Sequence, residues 1–166
     1  MPAITAQQAG GANRCAFLDM VANSEIGAAL LEITDNGYNV LVGSTPEKPL
    51  TFPSYAAPPD VYNAALNSTA AGRYQVLNRY AVIYIAQLKL PDFSPESQDL
   101  IALQQIRERS ALPLIDAGNL QAAIEACSNI WASLPGNNYG QHQNAISTLQ
   151  AAYLAAGGSF SSGVAS

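Results

Sequence analysis

Side chains able to move a proton or hold a metal are few in this sequence. Only 11% of its 166 residues are Asp, Glu, Lys or Arg, and it has one histidine, His142, and two cysteines. A lone histidine makes a histidine-based metal site untenable, and no arrangement of residues supports a catalytic triad. Cys15 and Cys127 cannot form a zinc site alone. They suit either two small buried apolar residues or one disulfide between the first helix and a late one. Carboxyl chemistry remains. Phe17, Val21 and Glu25 are spaced four apart, with Met20 and Ser24 alongside, so on a helix Glu25 ends the stripe that faces the core. A carboxylic acid in a partly apolar cleft keeps its proton near neutral pH, because desolvation disfavours the charged form. Such a group can serve as a general acid. Spacing alone equally suits an ordinary exposed glutamate near a helix end.

The elements that must position Glu25 are legible. Residues 1–12 read as a flexible arm rich in Gln, Ala and Gly, and Asn13 is placed to cap a helix reaching Ser24 or Ile26. A loop with the turn signal Asn36-Gly37 follows. Tyr38 to Gly43 is a strand candidate, and Lys48 to Phe52 its partner across a turn containing Pro46. Pro53, Pro58 and Pro59 mark an irregular return. Helices are expected from Asn78 to Leu88 and from Ser94-Pro95-Glu96 to about Arg109, the latter turning Leu100, Leu103 and Ile106 inward. A short turn opens at Pro113, a helix runs from Asn119 to Cys127, and a last one from Gln141 to the C-cap pair Gly157-Gly158. Residues 13–158 thus form one domain, with 159–166 a flexible tail. The class is α+β, a mostly helical body with a small early β hairpin and a groove between them, Glu25 standing just before the hairpin.

Composition excludes several functions. Hydrophobic residues make up 49% of the chain, too many for a disordered one. The longest apolar run, around Ala81 to Ala86, is broken at once by Gln87 and Lys89, so no membrane insertion is expected. A formal net charge of -5 with scattered Lys and Arg offers no patch for nucleic acid. The first residues lack a basic head followed by an apolar stretch, so no signal peptide is read.

Five ordered segments carry a resemblance: AFLDMVANSE at 16–25, GYNVLVG at 37–43, STAAGRYQVLNR at 68–79, DFSPESQDLIALQQIRERSALPLID at 92–116 and CSNIWASLPGNNYGQ at 127–141. On these the chain resembles the lambda-type endolysins of the lysozyme-like superfamily. The resemblance implies a lysozyme-like fold with Glu25 as the catalytic glutamate that follows the AFLDM helix. It implies lytic transglycosylation of peptidoglycan: the bond between N-acetylmuramic acid and N-acetylglucosamine is cut without water, leaving a 1,6-anhydro sugar, with no metal or organic cofactor. Peptidoglycan glycan strands are the expected partner and a monomer the expected state. Tyr38, Asn39, Tyr74, Gln75 and Tyr139 are the expected substrate-binding residues. Gln75 suits an N-acetyl group or a hydroxyl, or a tie from the hairpin to the helical body. Tyr139 suits a sugar contact, orientation of Glu25, or plain packing. Trp131 reads as core.

The chain departs from that pattern at three places. Asn39 stands where the pattern has an aspartate, so a second carboxylate is missing there, and Asp35 can replace it only if the loop folds back. Ile26 stands where the pattern has a glycine, and Asn23 where it has a tryptophan. The other readings are a hydrolytic muramidase, in which water competes with the sugar's 6-hydroxyl, and a non-catalytic wall-binding protein.

Overall fold

The computed structural model describes residues 1–136 and 143–161. The chain divides into two compact units, Met1–Ser24 with Ala102–Ser166, and Glu25–Ile101.

The first unit begins with the arm, where α1 (Ala6–Ala9) forms a helical turn. Thr5 and Gln8 close a reciprocal capping box there, which satisfies backbone N–H groups that so short a helix leaves unpaired. Ile4 and Ala9 are buried, so apolar contact adds to the cap. Helix α2 (Ala12–Ile26) follows and buries Ala16, Phe17, Leu18, Met20, Val21 and Ala22. Asn13 does not cap it. Its Nδ2 donates to the Ile115 carbonyl (3.1 Å), while its Oδ1 accepts from the Ser159 amide (2.9 Å).

The tail start is fastened by more than that bond. Tyr153 stacks on Phe160 with ring centroids 5.8 Å apart, and the Ser161 amide donates to the Gly118 carbonyl. Of the stretch 159–166 expected to be a flexible tail, Ser159 to Ser161 are held by hydrogen bonds and ring stacking, and 162–166 lie outside the described residues. The unit also holds α6 (Leu112–Asp116), α7 (Leu120–Cys127) and α8 (Ile146–Ala155). Ile115, Ile124, Trp131, Leu134, Leu149 and Tyr153 fill its core, each such burial contributing roughly 1.5–3 kcal/mol. Trp131 is core, as expected. Cys15 and Cys127 are not joined in a disulfide, and burial pushes the Cys127 thiol up to about 12, which keeps it protonated and unreactive.

In the second unit, α3 (Ala28–Ile33) occupies part of the stretch read as loop. The early hairpin is present but narrow. Val40 bridges Thr51, the Leu41 amide donates to the Leu50 carbonyl (2.8 Å), and the Phe52 amide to the Asn39 carbonyl (2.9 Å). A second antiparallel pair, not anticipated, joins β1 (Ala70–Ala71) to β2 (Val76–Leu77), and Leu41 bridges Ala71 to link the two. Helix α4 (Asn78–Leu88) and the start of α5 (Pro95–Glu108) complete the unit. The expected class, mostly helical with a small early hairpin, is the observed one.

One core assignment on α5 is corrected. Leu103 and Ile106 are buried but Leu100 is 37% exposed. The buried stripe follows Ser97-Ile101-Gln105 and Gln98-Ala102-Ile106, steps of four that stay on one helix face. Polar side chains occupy its first turn, so an apolar count points to the wrong face there.

Candidate functional site

The site begins at the end of α2. Phe17 and Val21 are fully buried and Glu25, next on the stripe, is half-buried. The last carbonyls of a helix lack intrahelical donors. Here Asn144 supplies one: its Nδ2 donates to the Ser24 carbonyl (3.2 Å) and to Ser24 Oγ (3.0 Å). Ser24 Oγ also shares a 2.7 Å hydrogen bond with Ser133 Oγ, and the Asn144 amide donates to the Ser133 carbonyl (2.8 Å). The residue preceding Glu25 is thus held through both backbone and side chain. Gly27, with φ +84°, then ends the helix in a conformation that side chains resist.

The other candidates sit on two turns of the second unit. In the first, the Tyr38 amide donates to the Asp35 carbonyl (2.8 Å) and the Gly37 amide to Thr34 Oγ1 (3.1 Å). Gly37 has φ +84° and no room for a side chain: a Cβ would lie 2.9 Å from Ile26 Cδ1 and 2.7 Å from Leu31 Cδ2. Ile26 therefore packs its bulk against this turn, which seats the end of α2 beside residues 37–39. Asn39 is half-buried, and its Oδ1 accepts from the Asp35 amide (3.2 Å). The loop does fold back. The Asp35 carboxylate in turn accepts a hydrogen bond from the Tyr55 hydroxyl, and burial followed by that contact raises the Tyr55 pKa.

The second turn spans Gly72 to Gln75, with φ +79° at Gly72 and +47° at Gln75. Gln75 Nε2 donates to the Gly72 carbonyl (2.9 Å) and to the Val40 carbonyl (3.4 Å). Gln75 thus ties its own hairpin to the 37–43 segment.

Tyr38 and Tyr74, expected to bind the sugar, have their side chains turned into the protein. They are 3% and 1% exposed, and their hydroxyls both donate to Asp99 Oδ1, at 2.8 Å and 2.6 Å. Burial, and after it the Asp99 charge, raises the Tyr74 pKa well above its ordinary value, so the hydroxyl stays a donor. Arg73 is buried with them, its guanidinium carbon 5.2 Å from the Tyr38 ring centroid, and it donates to the Asn36 carbonyl. Gln98 completes the support: Nε2 donates to the Tyr38 carbonyl (3.0 Å) and the Phe93 carbonyl (2.9 Å), and Oε1 accepts from the Arg73 amide (3.0 Å). One side chain therefore holds both turns. Most buried polar groups in folded proteins are satisfied in this way, and here those bonds couple the two turns.

Tyr139 lies outside the described residues. Sequence reasoning missed Gln98, Asp99, Ser133 and Asn144. For the first two a signal existed, since a polar pair falls on the stripe that continues as Ala102 and Ile106. Nothing local marks Ser133 or Asn144.

The family described as Endolysin matches residues 15–160. The chain belongs to the endolysin family. It is 48% identical over 149 residues to the endolysin of Escherichia phage lambda, covering 87% of this chain and 91% of that one. With the endolysin of Escherichia phage P2 it shares 46% over 167 residues, covering 95% and 98%. Among solved structures it is similar to bacteriophage lambda lysozyme complexed with a chitohexasaccharide, at a TM-score of 0.83 and 47% identity, covering 90% of this chain and 97% of that one. It is similar also to lysozyme from bacteriophage lambda, at a TM-score of 0.79 and 47% identity, with the same coverage. The endolysin is therefore an enzyme. Among its described residues no helix is long and apolar enough to cross a membrane.

Proposed function

We propose that this endolysin cleaves the bond between N-acetylmuramic acid and N-acetylglucosamine by lytic transglycosylation, with Glu25 as acid and then base. Family membership supplies the substrate, peptidoglycan. The observation that carries the rest is the placement of Glu25: half-buried, at the end of α2, next to a residue held by three hydrogen bonds. Glu25 protonates the glycosidic oxygen as positive charge grows at the anomeric carbon. Its carboxylate then takes the proton from the muramic 6-hydroxyl, whose oxygen closes onto that carbon. The bond lost is the glycosidic C–O, the bond gained is the 1,6-anhydro C–O, and Glu25 ends as it began. Attack within one sugar gains from proximity and needs no second carboxylate, unlike the paired arrangement of most glycosidases.

Asn39 and Gln75 are proposed to face the sugar. Their own bonds leave complementary groups over: Asn39 spends Oδ1 on Asp35 and keeps its Nδ2 donors, while Gln75 spends Nε2 and keeps Oε1 as an acceptor. A relative of this chain is a lysozyme complexed with a chitohexasaccharide, a neutral sugar chain that such groups suit. We take the working unit to be a monomer, since a long polymer needs an open site.

One observation favours the hydrolytic reading: the Asp35 backbone N–H donates to Asn39 Oδ1, so a carboxylate, itself held by the Tyr55 hydroxyl, stands on the same turn as Asn39. Product analysis separates the two. Wall digests reduced with borohydride and weighed by mass spectrometry should yield muramic ends that take up no hydrogen. Predominantly reducible new ends would make the enzyme a hydrolase and refute transglycosylation.

A further inference from the structure

A cavity of about 400 Å³ lies in the second unit, lined by Asp60, Tyr62, Asn67, Thr69, Asn78 and Arg79 among others. Glu25 and the two turns described above contribute nothing to it. We propose that it binds the peptide stem of peptidoglycan; this rests on the reading of peptidoglycan as substrate.

The argument is one of charge and rigidity. Asp60 and Arg79 are exposed on this cavity, and neither side chain takes part in a hydrogen bond or ion pair with another described residue. Arg79 rests over the Tyr80 ring, 4.9 Å from its centroid, which steadies the guanidinium without neutralising it. A free carboxylate and a free guanidinium on one concavity select a ligand bearing both an amine and a carboxylate. The glycan has neither: its amino groups are acetylated, and the lactyl carboxyl of muramic acid is consumed in the amide that begins the stem. Ionised amines and carboxylates in this polymer belong to the stems.

The walls are built in advance, as specific binding requires. Asn63 and Ser68 exchange backbone hydrogen bonds at 2.8 Å and 3.2 Å, closing the loop that carries Leu66 and Asn67. Asn63 Nδ2 anchors it to the Val42 carbonyl (3.2 Å). Tyr62 Oη donates to Asn67 Oδ1 (2.7 Å), which leaves the Asn67 amide N–H₂ to donate to a peptide carbonyl. Thr69 Oγ1 accepts from the Asn78 amide (3.2 Å) and fixes the floor to the start of α4. The volume falls within the range of small-ligand sites.

The test uses the whole chain and two probes, a free stem tetrapeptide with its diamino acid and chitohexaose. In NMR titrations the tetrapeptide should shift resonances of Asp60, Tyr62, Asn67 and Arg79, and Arg79→Ala and Asp60→Asn should each weaken it about tenfold. Chitohexaose affinity should stay unchanged. On walls, Arg79→Ala should raise KM and spare kcat, and on glycan strands stripped of peptide by an amidase it should change neither. Absence of tetrapeptide shifts at these residues, or an equal loss on stripped and intact substrate, would overturn the proposal. Peptide binding is read without bond cleavage. A failed transglycosylation reading would therefore appear in the product analysis and leave the titration as predicted.

Discussion

Substituting Gly72 by alanine probes how the site is held. An added Cβ would overlap Gln98 Oε1 and lie 2.8 Å from Gln98 Cδ, closer than side-chain carbons come, and the residue has φ +79°. Holding alanine in the left-handed region costs about 1–2 kcal/mol. A gain of about 0.4–1 kcal/mol from reduced unfolded-state entropy offsets part of that. To relieve the overlap, the Gln98 amide must withdraw, which strips the Arg73 amide of its 3.0 Å acceptor. A buried donor left unsatisfied costs about 1–3 kcal/mol. The total is about 2–4 kcal/mol, or a fall in Tm of about 5–15 °C for a chain of this size. In a Gln98→Ala background the overlap is absent, so Gly72→Ala should there cost only the left-handed term less the same entropic gain, about 0–1.5 kcal/mol. Thermal unfolding of the four proteins measures both figures. Wall clearing should fall with the single variant, because Gln75 ends the same turn. A Tm within about 2 °C of wild type, or equal costs in both backgrounds, would refute the claim that Gln98 clamps this turn.

Glu25→Gln should leave Tm unchanged and lower wall clearing by about 10²–10⁴-fold, since size and hydrogen bonding persist while the transferable proton does not; clearing near wild type would remove Glu25 from the mechanism. The Arg14–Asp116 pair, with N···O 2.6 Å, gives a pH prediction. The Arg14 hydrogen bond depresses the Asp116 pKa below its ordinary 3.8, so the pair's stabilisation is present above that value and fades as pH falls through the lower folded one. Arg14→Gln should therefore flatten the loss of Tm in the acid limb below about pH 4 and leave its shape near neutrality unaltered; parallel profiles for the two proteins would refute the assignment.

Local chemistry determined much of this protein. The stripe Phe17-Val21-Glu25 placed the glutamate, because a helix repeat fixes which residues share a face whatever the helix packs against. Ser94-Pro95 set the start of α5, and Val40 pairs with Thr51 where β-branched residues flank the Pro46 turn. The five ordered segments carried the family. Tertiary structure decided the supports. Tyr38 and Tyr74 read as sugar-facing aromatics, yet their hydroxyls converge on Asp99, 61 and 25 residues away in sequence. Asn144 reaches Ser24 across 120 residues. Ile26 breaks the family pattern beside the proposed catalytic residue Glu25, and only folding showed its bulk resting on Gly37. Hydrophobic periodicity reports which face is buried, but a buried polar side chain is stabilised only by partners that the folded chain brings to it. Those partners are remote in sequence, and no local pattern names them.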